Sequence, residues 1–265
     1  MKKRWVLGLV FMLLAAPAWA TLINPIGGGN GSELSVQQIM NNFTAGGTST
    51  ASQIADQDAI WQITGNGTSA ATLIIELAGN ANINEFGIYQ FNGSTPNLIQ
   101  LFAGPQSGGS KTAVTILNNG DVYTGLNATS LVTPQGHFSQ GTSFGYYLQT
   151  DFTQRPVLTW YSEMVRNSDG MDHMVTFQGI GDTITLPAGS GTTTGQWAPG
   201  EYLLAFEDMP INYSVVNQNG YGDWDFNDML VMVESVKPVP EPGTMMLLGS
   251  GLVGLAGWGR KKFRK

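Results

Sequence analysis

The sequence predicts an all-β protein built as a single β-sandwich or jelly-roll-like domain with one short N-terminal helix. Short apolar and β-branched runs recur along the chain, and clusters of Gly, Asn, Pro or Thr separate them. The chain has 35 glycines and only 12% charged residues, which favours short strands and tight turns. With 265 residues, 42% of them hydrophobic, it can bury the core of one large β-domain.

The N-terminus has the pattern of a secretory signal peptide over residues 1–20. A basic start at positions 2–4 precedes an apolar run, and the small-residue sequence Ala18-Trp19-Ala20 follows it. We expect cleavage after Ala20; an uncleaved N-terminal anchor is the alternative. Residues 21–31 then form a glycine-rich segment that we expect to be flexible.

Residues 32–236 are predicted to form the β-domain. Apolar residues at positions 36, 39, 40 and 43 have the spacing of one amphipathic helix over 33–43. After Gly46 the pattern changes to short strand-like runs. These runs cover residues 59–64, 71–77, 86–91, 98–103, 112–117, 143–149, 157–161, 173–178, 201–206 and 228–234. No internal repeat or linker divides this region.

Residues 237–265 combine a Pro-Glu-Pro motif, an apolar segment and a basic tail. Pro240, Glu241 and Pro242 precede the apolar stretch 244–258, which is short for a transmembrane helix, and residues 260–265 are mainly Arg and Lys. A simple C-terminal anchor is one interpretation. The order of the three parts closely resembles the PEP-CTERM sorting signal. That resemblance implies a Gram-negative exported protein, anchored transiently in the inner membrane and cut by an exosortase-type protease. It also implies a setting of exopolysaccharide or biofilm.

The charge distribution argues against nucleic acid as a partner, and the cysteine content excludes disulfide bonds. Eight of the twelve Lys and Arg residues lie at the two ends, so four remain between them against all nineteen Asp and Glu residues. Such an acidic body does not attract nucleic acid. The chain has no cysteine, so disulfides cannot stabilise it outside the cytoplasm.

An acidic motif near the end of the domain predicts a calcium site. Asp223, Asp225, Asn227 and Asp228 lie within six residues, directly before a predicted strand. Crowded carboxylates repel one another unless a cation or a proton neutralises them, and calcium takes six to eight oxygen ligands. With Glu234, the spacing imitates an EF-hand loop, but Asp228 stands where that loop needs glycine. We therefore treat the EF-hand spacing as coincidence and the clustering as the signal.

A second acidic pair is predicted to join this motif. Glu207 and Asp208 end the strand 201–206, and the loop that follows could return to bring them beside Asp223 and Asp225. The site then holds two loops together through Ca²⁺. The alternative is an acidic, hydrogen-bonded turn without an ion.

The acidic motif also carries a resemblance to a known family. Phe206-Glu207-Asp208, followed by residues 222–229 with the sequence Gly-Asp-Trp-Asp-Phe-Asn-Asp-Met, resembles the signature of domain-of-unknown-function family 4114. Segments 84–89, 144–148 and 161–173 are similar to that family too, so the resemblance spans about residues 70–236. It implies an exported bacterial β-domain often found beside calcium-associated modules, with no settled activity.

Enzyme-like and sugar-binding patterns offer alternatives to a structural role. Gly141–Gly145 fits G-x-S-x-G, with Ser143 followed later by Asp172 and His173, but the motif needs a helix where a strand is predicted. Asp169-Gly170 is a turn signal, and His173 could be a ligand or a buried histidine. A carboxylate pair of a glycosidase is not distinguishable among nineteen acids. The aromatic residues that could stack on sugars or fill the core are Trp61, Tyr89, Tyr146, Tyr147, Trp160, Tyr161, Trp197 and Trp224.

The sequence therefore predicts no enzyme. It predicts an exported, calcium-stabilised domain with a structural or adhesive role at the cell surface or in the extracellular matrix. Exopolysaccharide or other surface proteins are the expected partners besides the sorting protease. A carbohydrate-binding module is the first alternative, and a secreted hydrolase is the second.

Overall fold

Glycine and turn residues interrupt each apolar run, so the chain forms many short strands. The computed structural model describes residues 34–54, 58–64, 68–75, 81–104, 106–125, 133–152, 156–188, 190–210 and 224–239. The strands are β1 Ser52–Ile54, β2 Trp61–Ile63, β3 Thr68–Ile75, β4 Asn84–Asn92, β5 Thr95–Ala103, β6 Lys111–Ile116, β7 Asp121–Thr124, β8 Gly136–His137, β9 Ser143–Thr150, β10 Leu158–Tyr161, β11 Met174–Gln178, β12 Asp182–Ala188, β13 Gly191–Trp197, β14 Glu201–Phe206, β15 Met229–Glu234 and β16 Val236–Pro238. Short 3₁₀ turns lie at Ala81–Ile83 and Met164–Arg166.

One α-helix, α1, spans Val36–Phe43. It begins at Ser35, whose hydroxyl accepts the N–H of Gln38 while the Gln38 side chain accepts the N–H of Ser35. This reciprocal pair satisfies two backbone donors that the first turn of a helix leaves without partners. The four apolar residues that predicted the helix all lie on its buried face.

Two large sheets contain most of the strands. The eight-stranded sheet has the order β1-β11-β14-β15-β3-β6-β7-β8, and the six-stranded sheet has the order β16-β2-β9-β4-β5, with β10 also paired to β9. All strand pairs are antiparallel, and β12 and β13 form a separate hairpin. Among the described strands, seven of the twelve pairs in these two sheets join strands that are not consecutive along the chain.

The main core lies between the two sheets. Phe86 and Ile88 of β4 and Tyr146 and Leu148 of β9 come from the six-stranded sheet, and they share one buried cluster with residues of β6, β7, β11, β14 and β15. Alternate residues of the latter strands point into the same cluster, as expected for a strand with one face on a core. The arrangement is sandwich-like, as the sequence predicts.

A second core covers the outer face of the eight-stranded sheet. The buried face of α1 packs there with Ile184 and Trp197 of the β12–β13 hairpin, against Val175, Leu203 and Leu230 of the sheet. Strands β11, β14 and β15 are therefore covered on both faces. This explains why residues 202–206 of β14 and 229–233 of β15 form continuous apolar runs instead of alternating ones.

Two glycines on the outer face of the six-stranded sheet make room for tyrosine rings. Gly87 pairs with Tyr147, and Gly145 pairs with Tyr89, across strands β4 and β9. A Cβ at Gly87 would lie 2.2 Å from the backbone oxygen of Ile99 and 2.6 Å from the Tyr147 ring. A Cβ at Gly145 would lie 2.4 Å from the Tyr89 ring. The last glycine of the G-x-S-x-G motif thus serves packing.

We expect Gly87→Ala to lower the free energy of unfolding by about 1 to 3 kcal/mol, because the new methyl group meets backbone that cannot move aside. Chemical denaturation of the variant and the parent measures the change. Gly191→Ala in the β12–β13 hairpin is the control, since its Cβ would have no atom closer than 4.0 Å. An equal effect of the two substitutions would contradict this packing explanation.

All ten predicted strands are present: the strand 201–206 has the predicted bounds, and the other nine have shifted ends. The further strands among the described residues are β1, β7, β8, β12, β13 and β16. The hairpin β12–β13 was not predicted because β13 is rich in Thr and Gly and six of its seven residues are exposed. The predicted signal peptide, the glycine-rich segment 21–31 and the C-terminal apolar helix lie outside the described residues. Among the helices that are described, none is both long enough and apolar enough to cross a membrane.

Candidate metal centre

The ends of β11, β14 and β15 meet at one edge of the eight-stranded sheet. Phe206 pairs with Met174 on one side and with Met229 on the other. Because antiparallel register continues past a strand end, Glu207 stands next to both His173 and Asp228. The backbone confirms this, since the N–H of Glu207 donates to the carbonyl of His173 at 3.0 Å.

Three buried carboxylates gather at this edge. One oxygen from each of Glu207, Asp208 and Asp228 lies within 4.8 Å of the other two, and the residues are 1%, 2% and 8% exposed. Oxygens bound to one calcium ion at about 2.4 Å are separated by up to about 5 Å, so the spacing matches that of a shared ion. Carboxylates this close and this buried repel one another strongly when all are ionised.

Hydrogen bonds hold two of these carboxylates and connect them to the other sheet. The N–H of Asp208 donates to Oδ2 of Asp228 at 2.8 Å, and Nδ2 of Asn84 donates to Oδ2 of Asp208 at 2.9 Å. Oγ1 of Thr150 donates in turn to Oδ1 of Asn84 at 2.8 Å. Asn84 and Thr150 belong to β4 and β9, so the acidic edge is tied to the six-stranded sheet.

A stacked pair of rings holds the backbone of Glu207 and Asp208. The rings of Trp160 and His173 are 3.6 Å apart and within 4° of parallel. Nε1 of Trp160 donates to the carbonyl of Asp208 at 2.8 Å, and Nδ1 of His173 lies 3.0 Å from the carbonyl of Glu207. Two successive carbonyls are thus held by two stacked donors, which orients both acidic side chains.

Hydrogen-bond partners hold the His173 ring at both nitrogens. Its Nε2 lies 3.0 Å from Oδ2 of Asp169, while its Nδ1 faces the carbonyl of Glu207. Because a carbonyl cannot donate, Nδ1 is the donor to Glu207. The ring therefore connects Asp169 to the backbone beside the acidic cluster.

Asp225 and Asn227 form a separate buried turn against α1. Both oxygens of Asp225 accept from Asn227, at 3.2 Å from its N–H and 2.5 Å from Nδ2, and Nδ2 also donates to the carbonyl of Leu34 at 2.7 Å. These two acceptors identify the amide nitrogen, so the other atom is the oxygen. Within the described part of the chain, this buried Oδ1 of Asn227 has no hydrogen-bond donor.

The backbone of this turn has an unusual conformation. Trp224 and Phe226 have φ of 63° and 54°, in the left-handed region that bulky residues rarely adopt. The buried Phe226 side chain and the hydrogen bonds of Asp225 and Asn227 hold the turn in place. The alternation of conformations turns Asp225 toward α1, where its carbonyl accepts the N–H of Val36 at 3.1 Å.

The structure changes the predicted grouping of the acidic residues. Glu207 and Asp208 were expected beside Asp223 and Asp225, but the described residues place them beside Asp228. Strand register is the reason, because it sets Asp228 opposite Glu207 while Asp225 belongs to the turn on α1. Asp223 lies outside the described residues. Asn84, Thr150 and Trp160 were not predicted as part of the site, because Asn84 and Trp160 are 124 and 48 residues from Asp208 in sequence.

The acidic cluster shifts the protonation of Asp228. Burial first, and then the charges of Asp208, Glu207 and Asp225, raise the pKa of Asp228 well above its usual 3.8, while the hydrogen bond from the N–H of Asp208 lowers it. The folded protein therefore holds this proton more tightly than the unfolded chain does. Without metal, the resulting stability is fully present below pH 3.8 and is lost as the pH rises through the raised pKa.

We expect a pH-dependent difference in melting temperature between the metal-free protein and its Asp228→Asn variant. The melting temperature of the variant should rise relative to that of the parent as pH increases from about 4 to 8, because only the parent has to ionise this buried group. Melting curves in metal-free buffers at several pH values measure the difference. The other carboxylates affect the melting temperatures of both proteins equally. A difference that stays constant with pH would therefore contradict the raised pKa of Asp228.

The enzyme-like residues do not assemble into the predicted triad. Ser143 begins β9, which continues as a strand to Thr150 and is not followed by the helix of a nucleophile elbow. His173 is fully buried and contacts Glu207 and Asp169. Oδ1 of Asp172 accepts the N–H of Met174 at 3.1 Å, which is a local turn contact.

The predicted aromatic candidates are mostly core residues. Trp61, Tyr89, Tyr146, Tyr147, Trp160, Tyr161 and Trp197 are at most 9% exposed. Trp224 is half-buried and packs against the cluster on the outer face of the eight-stranded sheet. An exposed platform of stacked sugar-binding rings is therefore not formed by these residues.

Comparison with known proteins identifies one feature. The PEP-CTERM protein-sorting motif matches residues 238–261. The motif indicates a protein that is exported to the cell envelope or surface and is processed by exosortase, a membrane protease. No curated protein and no solved structure matches the chain.

Proposed function

We propose that the protein is an exported β-domain, stabilised by calcium, with a structural or adhesive role at the cell surface or in the extracellular matrix. The sorting motif accounts for export and for processing by exosortase. The observation that carries the rest is the trio of buried carboxylates Glu207, Asp208 and Asp228. We further propose exopolysaccharide or other surface proteins as partners in the matrix.

The donor set suits a hard cation. Three carboxylates are oxygen ligands that calcium prefers, and we propose the amide oxygen of Asn227, the residue before Asp228, as a further ligand. Asn227 Oδ1 supports this fit independently, because a buried acceptor without a donor among the described residues normally costs stability. When bound, the ion would supply positive charge that cancels the repulsion among the carboxylates.

The protein's own residues define what such a site does. Glu207 and Asp208 extend β14, Asp228 precedes β15, and Asn84 connects Asp208 to the six-stranded sheet. Asp225 orients Asn227 through both of its oxygens. Holding these groups together stabilises the contact between the two sheets at one edge. We include Asp223 among the ligands on its sequence position alone.

Membership of domain-of-unknown-function family 4114 is part of this proposal. The residues that carry the resemblance, Glu207, Asp208 and Asp225–Asp228, are the ones that the strand register and the α1 contact bring into two neighbouring buried groups.

Cells that display the processed protein provide a test of the surface role. Brief chelator treatment should raise cleavage by an added protease up to about 100-fold, because losing about 2.7 kcal/mol of binding free energy increases the unfolded population by that factor. It should also reduce the protein retained on the cells, and calcium should restore both. The control is Asp121→Asn, whose half-buried side chain lies outside the cluster beside His137, while Asp228→Asn should be insensitive to calcium. Retention and cleavage that do not respond to the chelator would reject the proposal.

A further inference from the structure

A polar cavity lies on the outer face of the six-stranded sheet, away from the acidic cluster. Its volume is about 290 Å³, and its walls include Gln90, Phe91, Gln140, Glu163 and Arg166. The cavity is near the last residues of β4 and the first residues of β9, whereas Asn84 and Thr150 lie at the opposite ends of those strands. Nothing in the calcium proposal uses these residues.

A Glu–Arg pair forms the polar centre of the cavity. Nε of Arg166 donates to Oε2 of Glu163 at 2.6 Å, and the hydroxyl of Tyr89 donates to the same oxygen at 3.0 Å. The guanidinium carbon lies 3.8 Å from the centre of the Phe91 ring. These contacts fix the planes of both charged groups. Among the described residues, Oε1 of Glu163 and the two terminal amino groups of Arg166 make no hydrogen bond. Both residues line the cavity, so an acceptor and donors are available there for a ligand.

The wall beside this pair is held by hydrogen bonds of its own. Nε2 of Gln90 donates to the carbonyl of Ser143 at 3.0 Å, and Oε1 of Gln90 accepts the N–H of Gln140 at 2.8 Å. Nε2 of Gln140 donates to the carbonyl of Phe91 at 2.8 Å. Gly145, where a side chain would collide with Tyr89, completes the floor. The cavity is thus formed before any ligand arrives, which lowers the cost of binding.

The chemistry of the cavity selects among ligand classes. One positive and one negative side chain are paired in it, so their charges offset each other and a neutral ligand fits the cavity. A hydroxyl group donates and accepts at once, so two neighbouring hydroxyls match the neighbouring Glu163 oxygen and Arg166 amino groups. The volume is at the lower end of ligand cavities, about 300 Å³, which suits one sugar ring.

We propose that this cavity binds a neutral hexose unit of a glycan, with adjacent hydroxyls bridging Glu163 Oε1 and the terminal amino groups of Arg166. The Phe91 ring supports the guanidinium from below. The site does not depend on calcium, and its failure would leave the metal proposal unaffected, because the two are measured separately.

Saturation-transfer NMR with the full-length protein tests this proposal. The protein is purified in a detergent without a sugar headgroup, and glucose, galactose and mannose are titrated individually, with glucuronate as the charged arm. We expect saturable binding of at least one neutral hexose with a Kd of about 1 to 10 mM, as its few atoms allow. Arg166→Met and Glu163→Gln should each weaken it about tenfold or more, since hydrogen bonds to charged groups are lost.

The control variant is Lys111→Met, which removes another cation away from this cavity and should bind the hexose as the parent does. Arg166→Lys retains the charge but not the planar fork, and it should also lose binding. It replaces Arg166→Met if that variant does not fold. The proposal is overturned if no neutral hexose binds saturably or if the Arg166 variants bind as the parent does. Glucuronate binding tenfold tighter than every neutral hexose would overturn it too, because the site would then be an anion site.

Discussion

Calcium is expected to raise the melting temperature of the full-length protein by about 5 to 11 °C at a concentration one hundred times its Kd. The physical reason is that the ion binds the assembled carboxylates of Glu207, Asp208 and Asp228, which are separated in the unfolded chain. Binding to the folded state alone adds about 2.7 kcal/mol under that condition. Magnesium should act more weakly, since it keeps its own water ligands and needs a stricter geometry.

Differential scanning calorimetry with calcium, magnesium or chelator measures this effect. Asp228→Asn should abolish the calcium response while raising the melting temperature of the metal-free protein near neutral pH, because it removes a buried charge from a crowded cluster. A lost calcium response together with a higher melting temperature of the metal-free protein distinguishes an ion site from an ordinary hydrogen-bonded acidic turn. Asp121→Asn is the matched control. Equal melting temperatures of the parent in all three conditions would exclude the metal centre.

Trp160→Leu is expected to lower the free energy of unfolding by about 3 kcal/mol and the melting temperature by about 6 to 12 °C. The substitution leaves a cavity beside His173 and removes the donor to the carbonyl of Asp208. It should also weaken calcium binding by about tenfold, because the side chains that orient metal ligands contribute to affinity. Isothermal titration of calcium and thermal unfolding together measure both consequences.

Trp197→Leu provides a matched control on the other face of the eight-stranded sheet. Trp197 is also fully buried and donates from Nε1 to a carbonyl, that of Glu201, at 3.0 Å. It stacks at an angle on Phe43 and has no part in the acidic cluster. We expect a similar loss of stability with unchanged calcium affinity. If both variants lose affinity equally, the effect is general destabilisation and the positioning role of Trp160 is wrong.

The strands were predictable where burial leaves a local pattern. Residues 202–206 and 229–233 are apolar throughout because both faces of β14 and β15 are covered, and such runs are visible in the sequence. The β12–β13 hairpin leaves no such pattern, because its exposed Thr and Gly residues resemble a loop. Helix α1 was predictable from the spacing of its buried residues, and its capping box sets its first residue.

The candidate site was predictable in its residue types and only partly in its grouping. Glu207, Asp208 and Asp228 attract attention because acidic residues cluster there in a chain with only 12% charged residues. The residues that hydrogen-bond to Asp208 could not be identified from the sequence pattern. Asn84 and Trp160 are ordinary residues in sequence, and they reach Asp208 only because β4 and β10 belong to the sheet packed against β14.

The amino-acid sequence by itself determined the mainly β-sheet fold with its short helix, the acidic character of the domain and the sorting motif at the C-terminus. These properties depend on composition, on periodicity and on contiguous residues, all of which are present in the linear sequence. Only the tertiary structure decided that Asp228 faces Glu207 while Asp225 turns to α1, and that Glu163 and Arg166 share a cavity with Tyr89 and Phe91. Strand register and sheet packing set these contacts, because they join residues that are far apart along the chain.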